Sequence, residues 1–507
     1  MDAGSKASET PLEGLDDFAA HLARRERVTR VSGLRGAARA ALVAHLARAH
    51  GDRPLLVLVP TAKQGDLFVE DLRSALGEAP GEGRLRAFPR HDTQPYERFS
   101  PQSFLVAQRM EVLYRLLASQ SPNVGNGEPA PILVAPWTAL APRVPSREFV
   151  RGKAVHLEVG QTLDRDALIE TLIGAGYSRM PLVEERGELA VRGGILDLFP
   201  PHRPTPVRVE LLGDEVESIR EFDPASQRSQ SALGYVVAPP ARELIPDRSL
   251  VIERSEAIRA HAAGQGSDSS LVDALLDTLL RGSVPPGAGA LAPLLSRGLE
   301  TVLDFLPEDT LVVVDDLDAG RGRLLRYAEE MYENHALARE SRRPVCEPGE
   351  LALAPDVLER AVLERKPVLL DALDLPVTSG DTVLTLRAPD QGVLRRALTQ
   401  TRTHVHALTP LAERIAGWRE SRYRIVLTAP SLSHSERLRS LLADYDVSAR
   451  VTTDPRPIWR WGAMGHVEVR ATPLSAGFTL PAERLAVVTE EEIFCLLYTS
   501  PSPRDRS

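Results

Sequence analysis

Between residues 177 and 223, apolar and polar positions alternate with the two-residue period of half-buried strands. Leu189 and Val191 alternate with Glu188, Ala190 and Arg192. Gly193-Gly194 supplies the positive φ angles a two-residue hairpin turn needs, and Ile195 to Phe199 returns as a second, more apolar strand. Pro200-Pro201 stops it. A second hairpin follows, in which Val207, Val209 and Leu211 alternate with Arg208 and Glu210, Gly213-Asp214 turns, and Glu215 to Phe222 returns. The pattern predicts a small antiparallel sheet with charged side chains on one face.

Elsewhere the periods are those of an α/β chain. Residues 1–28 form a polar lead-in with one helical stretch, Leu15 to Arg25. Val28 to Val31 reads as a strand, Ser32 to Ala40 as a turn, and an Ala/Leu-rich helix runs to His50. Leu55 to Val59 is a continuous apolar run ending at Pro60, as in a buried parallel strand, and a helix follows from about 64 to 76. This β-α-β-α order predicts a parallel sheet with helices packed on it. Ser100 suits an N-cap and Pro101 a first helical position, before Val106, Met110, Leu113 and Leu117 recur on one helical face. Ser119 to Ala130 is a polar surface loop and Ile132 to Ala135 a short buried strand. Residues 261–295, rich in Gly, Ser, Ala and Pro, predict a loosely packed connection. Leu311 to Val314 is a buried strand ending in Asp315 and Asp316. From about 380 another α/β unit begins, with strands at Ile425 to Ala429 and Leu485 to Val488 and a helix at Ser435 to Tyr445.

Gly33 to Ala40 has the outline of a phosphate-binding loop between a strand and a helix, a working example of which reads G-x-x-x-x-G-K-[ST]. Gly33 and Gly36 are present, but Ala38 stands for the second Gly, Arg39 for Lys and Ala40 for Ser/Thr. Ala38 adds a Cβ where backbone must approach phosphate. Arg39 replaces a compact ammonium by a planar fork, and Ala40 lacks the hydroxyl that would hold Mg²⁺. Asp315-Asp316 sits where the acidic pair of a nucleotide-hydrolysing motor follows its strand. The expectation is a nucleotide site that has decayed into a connector, with no ATP hydrolysis.

Gly176-Tyr177, Glu185-Arg186-Gly187-Glu188, Arg192-Gly193-Gly194, the run Ile195 to Pro200, and Gly213 to Ile219 together resemble the module shared by the excision-repair protein UvrB and the transcription-repair coupling factor (Mfd) family. In that family the module docks on UvrA. UvrB needs an intact phosphate loop and an aromatic-rich hairpin that enters DNA. Here the corresponding stretch, Phe88 to Pro101, is short and leads directly into a helix. The resemblance is therefore to the N-terminal part of the coupling factors, with a UvrB-type damage-binding subunit of the excision nuclease as the alternative. It implies a degenerate RecA-like (P-loop NTPase-like) α/β domain in two halves, 29–147 and 236–375, with an inserted small antiparallel β-rich domain at 148–235. A separate α/β domain follows at 376–494, without assigned chemistry. It also implies recruitment of UvrA to lesions where RNA polymerase has stalled. Family domains that lie outside this chain bind RNA polymerase and translocate on double-stranded DNA, using ATP and Mg; the chain itself needs neither cofactor and no catalytic residue is expected in it. The UvrA-docking residues are expected to be Arg179, Arg186, Arg192, Gly193, Gly194 and Phe199. Arg192 is out of phase with Leu189 and Val191 and so faces away from the core, either toward a partner or paired with Glu188 or Glu210 on the sheet surface.

Composition narrows the reading. A chain of 507 residues accommodates about three domains, and a net charge of -9 argues against the whole chain being a strong non-specific DNA binder. Two cysteines, Cys346 and Cys495, make neither a disulfide framework nor a metal site. No membrane-length apolar run and no signal pattern at Met1-Asp2-Ala3-Gly4-Ser5 predict a cytoplasmic protein. His404 and His406 share a strand face but lack a third ligand, so no metal is expected. Asp197 reads as a turn-supporting acceptor, with a catalytic carboxylate as the alternative. Trp459 and Trp461 around Arg460 read as anchors of a surface loop, with base stacking as the alternative. Residues 495–507, with two Ser-Pro steps and a polar end, depart from the family pattern after Phe494 and are expected to be non-native.

Overall fold

A computed structural model describes residues 14–23, 27–79, 83–120, 129–371, 382–401 and 407–494. His404, His406, Cys495 and the tail at 495–507 lie outside the described residues. The fold is mixed α/β. Its largest sheet has seven parallel strands in the order Thr382–Ala388, Thr29–Leu34, Val368–Leu370, Leu311–Asp315, Leu55–Val59, Ile132–Pro136 and Leu85–Ala87. The apolar runs divide by alternation between two cores: Leu55, Val57 and Val59 face one, Leu56 and Leu58 the other. That is why these strands read as continuous apolar stretches rather than alternating ones. The helix Ala38–His50 is buried nearly all round, because the large sheet covers one side and the helices Leu15–Ala23 and Ala62–Leu76, with the C-terminal unit, cover the rest.

Strands of this sheet come from both sequence flanks of a second, six-stranded sheet. Its order is Ser229–Leu233, Glu215–Phe222, Val207–Leu212, Ile195–Leu198, Glu188–Arg192 and Ser178–Arg179, antiparallel except for the last pair. Leu189, Leu196, Leu198, Val207, Val209, Val216 and Ile219 form its inner face against Leu168 and Leu172 of the helix Arg165–Gly174. A five-stranded sheet near the C-terminus runs Ala449–Thr452, Val467–Ala471, Arg424–Ala429, Leu485–Thr489 and Phe478–Leu480.

Three expectations are corrected. Residues 261–295 are not a loose connection. The helices Arg248–Gly264 and Ser269–Leu280, capped by Asp247 and Asp268, pack through Val251, Ile258, Val272, Leu276 and Leu279. Ser100 is not an N-cap, because the helix Ser103–Ser119 starts later, and Asp92 accepts from the backbone N–H of Gln102 instead. The strand Thr382–Ala388, expected in the C-terminal unit, pairs with Thr29–Leu34 and completes the large sheet, since that edge was open to a parallel partner.

Candidate functional site

The outer face of the six-stranded sheet is built by residues directly opposite one another on neighbouring strands. One row runs Ala190, Asp197, Arg208, Arg220, and the next runs Arg192, Ile195, Glu210, Ser218. Asp197 is the pivot. Its side chain is 1% exposed, and it accepts from Arg208 Nε at 2.7 Å and Arg208 Nη2 at 2.9 Å. Arg208 also lies 4.8 Å from the centroid of Phe222, and the hydrogen bonds it donates to Asp197 push its pKa up. The same carboxylate pairs with Arg192, whose side chain stays 44% exposed. Neither Glu188 nor Glu210 is its partner. Glu188 accepts from the backbone N–H groups of Glu184 and Glu185 at 2.8 Å, and Glu210 accepts from Ser218 at 2.7 Å. Asp197 is thus a buried ion-pair centre that holds Arg192 while leaving it half open, rather than a turn support or a catalytic acid.

The other expected docking residues separate. Arg179, on the short edge strand, is exposed. Gly193 takes the left-handed turn position at φ 60°, whereas Gly194 does not. Gly194 matters for approach: a Cβ there would lie 2.7 Å from the carbonyl oxygen of Leu211. Arg186 instead turns to the large α/β domain, 3.3 Å from Glu111, which also binds Arg86 at 2.9 Å and Arg115 at 3.1 Å. Phe199 is buried with Val183, Ala190 and Phe222, so it supports the outer face and is not presented on it. Sequence reasoning missed Leu212, 69% exposed, and Arg220, also exposed. Leu212 follows the phase of Arg208 and Glu210, which was a readable signal. Arg220 was hidden by a bulge: Glu210 pairs with Ser218 but Leu211 with Val216, which breaks the alternation at Glu217.

The loop from Gly33 to Ala40 is closed. The strand runs on to Leu34, past its expected end, and carries Gly33 beside the backbone of Leu386. Amides that would face phosphate bond inward: Ala38 N–H to Arg35 O at 3.2 Å and Arg39 N–H to Gly36 O at 3.4 Å. Ala38 and Ala40 are core residues. Arg39 and Asp315 form an ion pair with side chains 19% and 8% exposed, and burial holds the Asp315 carboxyl above its ordinary pKa despite the guanidinium. Asp316, at φ 51°, caps the helix Leu317–Glu340 by accepting from Ala319 N–H. The residues in Lys, Ser and acidic positions are thus committed to structure.

Other candidates resolve as packing. Trp461 is buried and donates from Nε1 to Arg456 O at 2.7 Å, and Trp459 stacks edge-on with His45 at 5.2 Å. Burial pushes the Cys346 thiol up to about 12. Among the described residues no group of three or more His, Cys, Asp or Glu is placed to hold a metal, and no helix is long and apolar enough to cross a membrane.

A family model described as the UvrB interaction domain matches residues 155–244, the segment that carries the outer face. The chain is 33% identical to the transcription-repair-coupling factor of Myxococcus xanthus over 510 aligned residues, covering 97% of this chain and 41% of that protein. It is 26% identical to the factor of the same description from Bacillus subtilis, covering 96% and 40%, and 29% identical to that of Escherichia coli, covering 84% and 34%. The chain spans about two-fifths of the length of the first two of these relatives, and about a third of the last.

Proposed function

For a chain that belongs to the transcription-repair-coupling factor family, of which it covers the N-terminal part, we propose a non-catalytic recruitment role. In this reading the outer face of the six-stranded sheet docks the nucleotide-excision-repair protein UvrA. The family's motor regions, outside this chain, drive translocation on DNA with ATP and Mg and act on stalled RNA polymerase. The α/β domain around Gly33 to Ala40 is the decayed relative of a RecA-like motor domain, kept as a scaffold. A UvrB-type damage-binding enzyme is disfavoured by the ion pair between Arg39 and Asp315, which occupies both sides of the nucleotide site.

The observation that carries the reading is Arg192. It is fixed by a buried carboxylate, stays half exposed, and stands within the segment matched by the UvrB interaction domain. A planar guanidinium held in place loses little entropy on meeting a carboxylate pair on a partner. Exposed Leu212 and Arg220 on the same face add an apolar contact and a second cation. The test is calorimetric titration of UvrA into the chain, comparing wild type with Arg192→Ala, Arg220→Ala and Arg179→Ala, each checked for folding by circular dichroism. Loss of a desolvated interface Arg is expected to weaken binding by about 2 kcal/mol or more. Wild-type affinity in all three folded variants would place the docking surface elsewhere.

A further inference from the structure

The C-terminal unit, for which the family resemblance supplies no chemistry, meets the large domain at the decayed nucleotide loop. Its segment 473–477 runs along the helix Ala62–Leu76 and the loop ahead of Ala38–His50. Asp71, buried in that first helix, accepts from Ser475 twice, from the backbone N–H at 2.7 Å and from the hydroxyl at 2.5 Å. One turn on, Ser74 donates to the carbonyl of Pro473 at 2.7 Å. The next residue, Ala476, stands directly over the loop: a Cβ built on Gly36 would lie 2.8 Å from its methyl and 3.5 Å from the carbonyl oxygen of Gly477. Gly36 is required twice over: its φ of 54° is left-handed, and a side chain there would meet a protein segment. Arg35, beside it, reaches Asp390 at 4.0 Å, and Asp390 is bridged to Phe478. Around these polar contacts lies one continuous core. Val426, Ile458, Trp461, Phe478 and Leu485 share it with Leu42, Leu46, Phe68 and Leu72.

We propose that the decayed cradle is a socket and that segment 473–477 is its permanent occupant, a latch that makes the C-terminal unit a rigid extension of the large domain. The chemistry fits. A helix-borne carboxylate with two donors aimed at it recognises one backbone position and one hydroxyl, and a glycine floor accepts only a small side chain such as that of Ala476. The partner is this chain's own segment, so the cradle has passed from binding a ligand to binding a domain. This inference is independent of the UvrA reading, because none of its residues lies on the six-stranded sheet.

Hydrogen–deuterium exchange on the whole chain tests it, in wild type, Ser475→Ala, Asp71→Ala and the double variant. If the latch exists, each single variant speeds amide exchange about tenfold on both sides of the junction, in 473–480 and in 62–76, as expected when a local opening loses a hydrogen bond. The double variant exchanges no faster than Asp71→Ala, because both changes remove the same contact. Unchanged exchange in the folded variants, a change on one side only, or simple additivity in the double variant would overturn the proposal. Should Asp71→Ala fail to fold, Ser475→Ala, which removes a single hydroxyl, decides by itself.

Discussion

Asp197 is the residue on which the outer face depends. It lies in a strand whose neighbours Leu196 and Leu198 belong to the inner core, so the alternation that buries them sends Asp197 to the opposite side. There Phe222 and the loop near Val183 cover it, and a bare carboxylate would be costly without Arg208 and Arg192. Asp197→Ala leaves Arg208, whose side chain is 12% exposed, without its carboxylate and with the carbonyl oxygen of Gln227 as its remaining acceptor, and is expected to cost about 2–3 kcal/mol in urea unfolding. Arg192→Ala, which removes a half-exposed partner, is expected to cost no more than about 1 kcal/mol. Equal costs would mean that Arg192, not Arg208, balances the carboxylate. In the sequence, the alternation of Leu189 and Val191 was enough to place Arg192 on the outer face. Its partner was not legible: the register puts Glu210 in the row of Arg192, and the pairing with Asp197, one row over, depends on Glu210 being engaged by Ser218, which leaves no mark in the sequence.

At the scale of elements, the strand-loop-helix from Thr29 to His50 was legible in the sequence. Ala38, Arg39 and Ala40 stand where a phosphate-binding loop would have Gly, Lys and Ser/Thr, and the geometry assigns each a structural task. Added MgATP is accordingly expected to produce no rise in melting temperature, since stabilisation by a ligand requires binding to the folded state. Phosphate release, with or without DNA, is expected to match a no-protein blank. A saturable upward shift in melting would contradict the closed loop. The helical pair Arg248–Gly264 and Ser269–Leu280 was harder to see. Its Gly, Ser and Pro content masked a valid helical spacing at Val272, Leu276 and Leu279, and both helices are secured by aspartate caps that composition alone does not reveal. Thr382–Ala388 was misplaced for another reason: its partner is far away in the chain, and pairing between distant strands leaves no local mark.

For the whole molecule, the segment that carries the six-stranded sheet was legible from motifs, and the UvrB interaction domain model matches it at residues 155–244, but the way the units seat on one another was not legible. Asp71 shows why. Nothing around it in sequence marks a junction residue, and its significance comes from Ser475, 404 positions later. Burial raises its pKa to about 6, opposed by the two bonds from Ser475 and assisted by Glu70. For a carboxylate raised in the folded state, the stabilisation is fully present below the unfolded value near 3.8 and is lost as pH rises through about 6. A shift of this size corresponds to roughly 3 kcal/mol. Wild type is therefore expected to lose stability relative to Asp71→Asn as pH rises from about 4 to about 6. Glu243, held near 2 by Arg109 and His91 against its burial, is present in both proteins, so its titration cancels in the comparison. Parallel pH profiles for the two proteins would show that Asp71 is ionised without penalty.

The pairing of Arg39 with Asp315 has an evolutionary consequence. Suppose selection favoured nucleotide use. Replacing Arg39 by Lys would slacken the grip on a buried carboxylate, and restoring a hydroxyl at position 40 would place a polar group in a core position. Neither step helps until Ala476 also withdraws from Gly36. Each single change toward a nucleotide site is thus penalised before any activity can repay it, so the loop resists stepwise conversion.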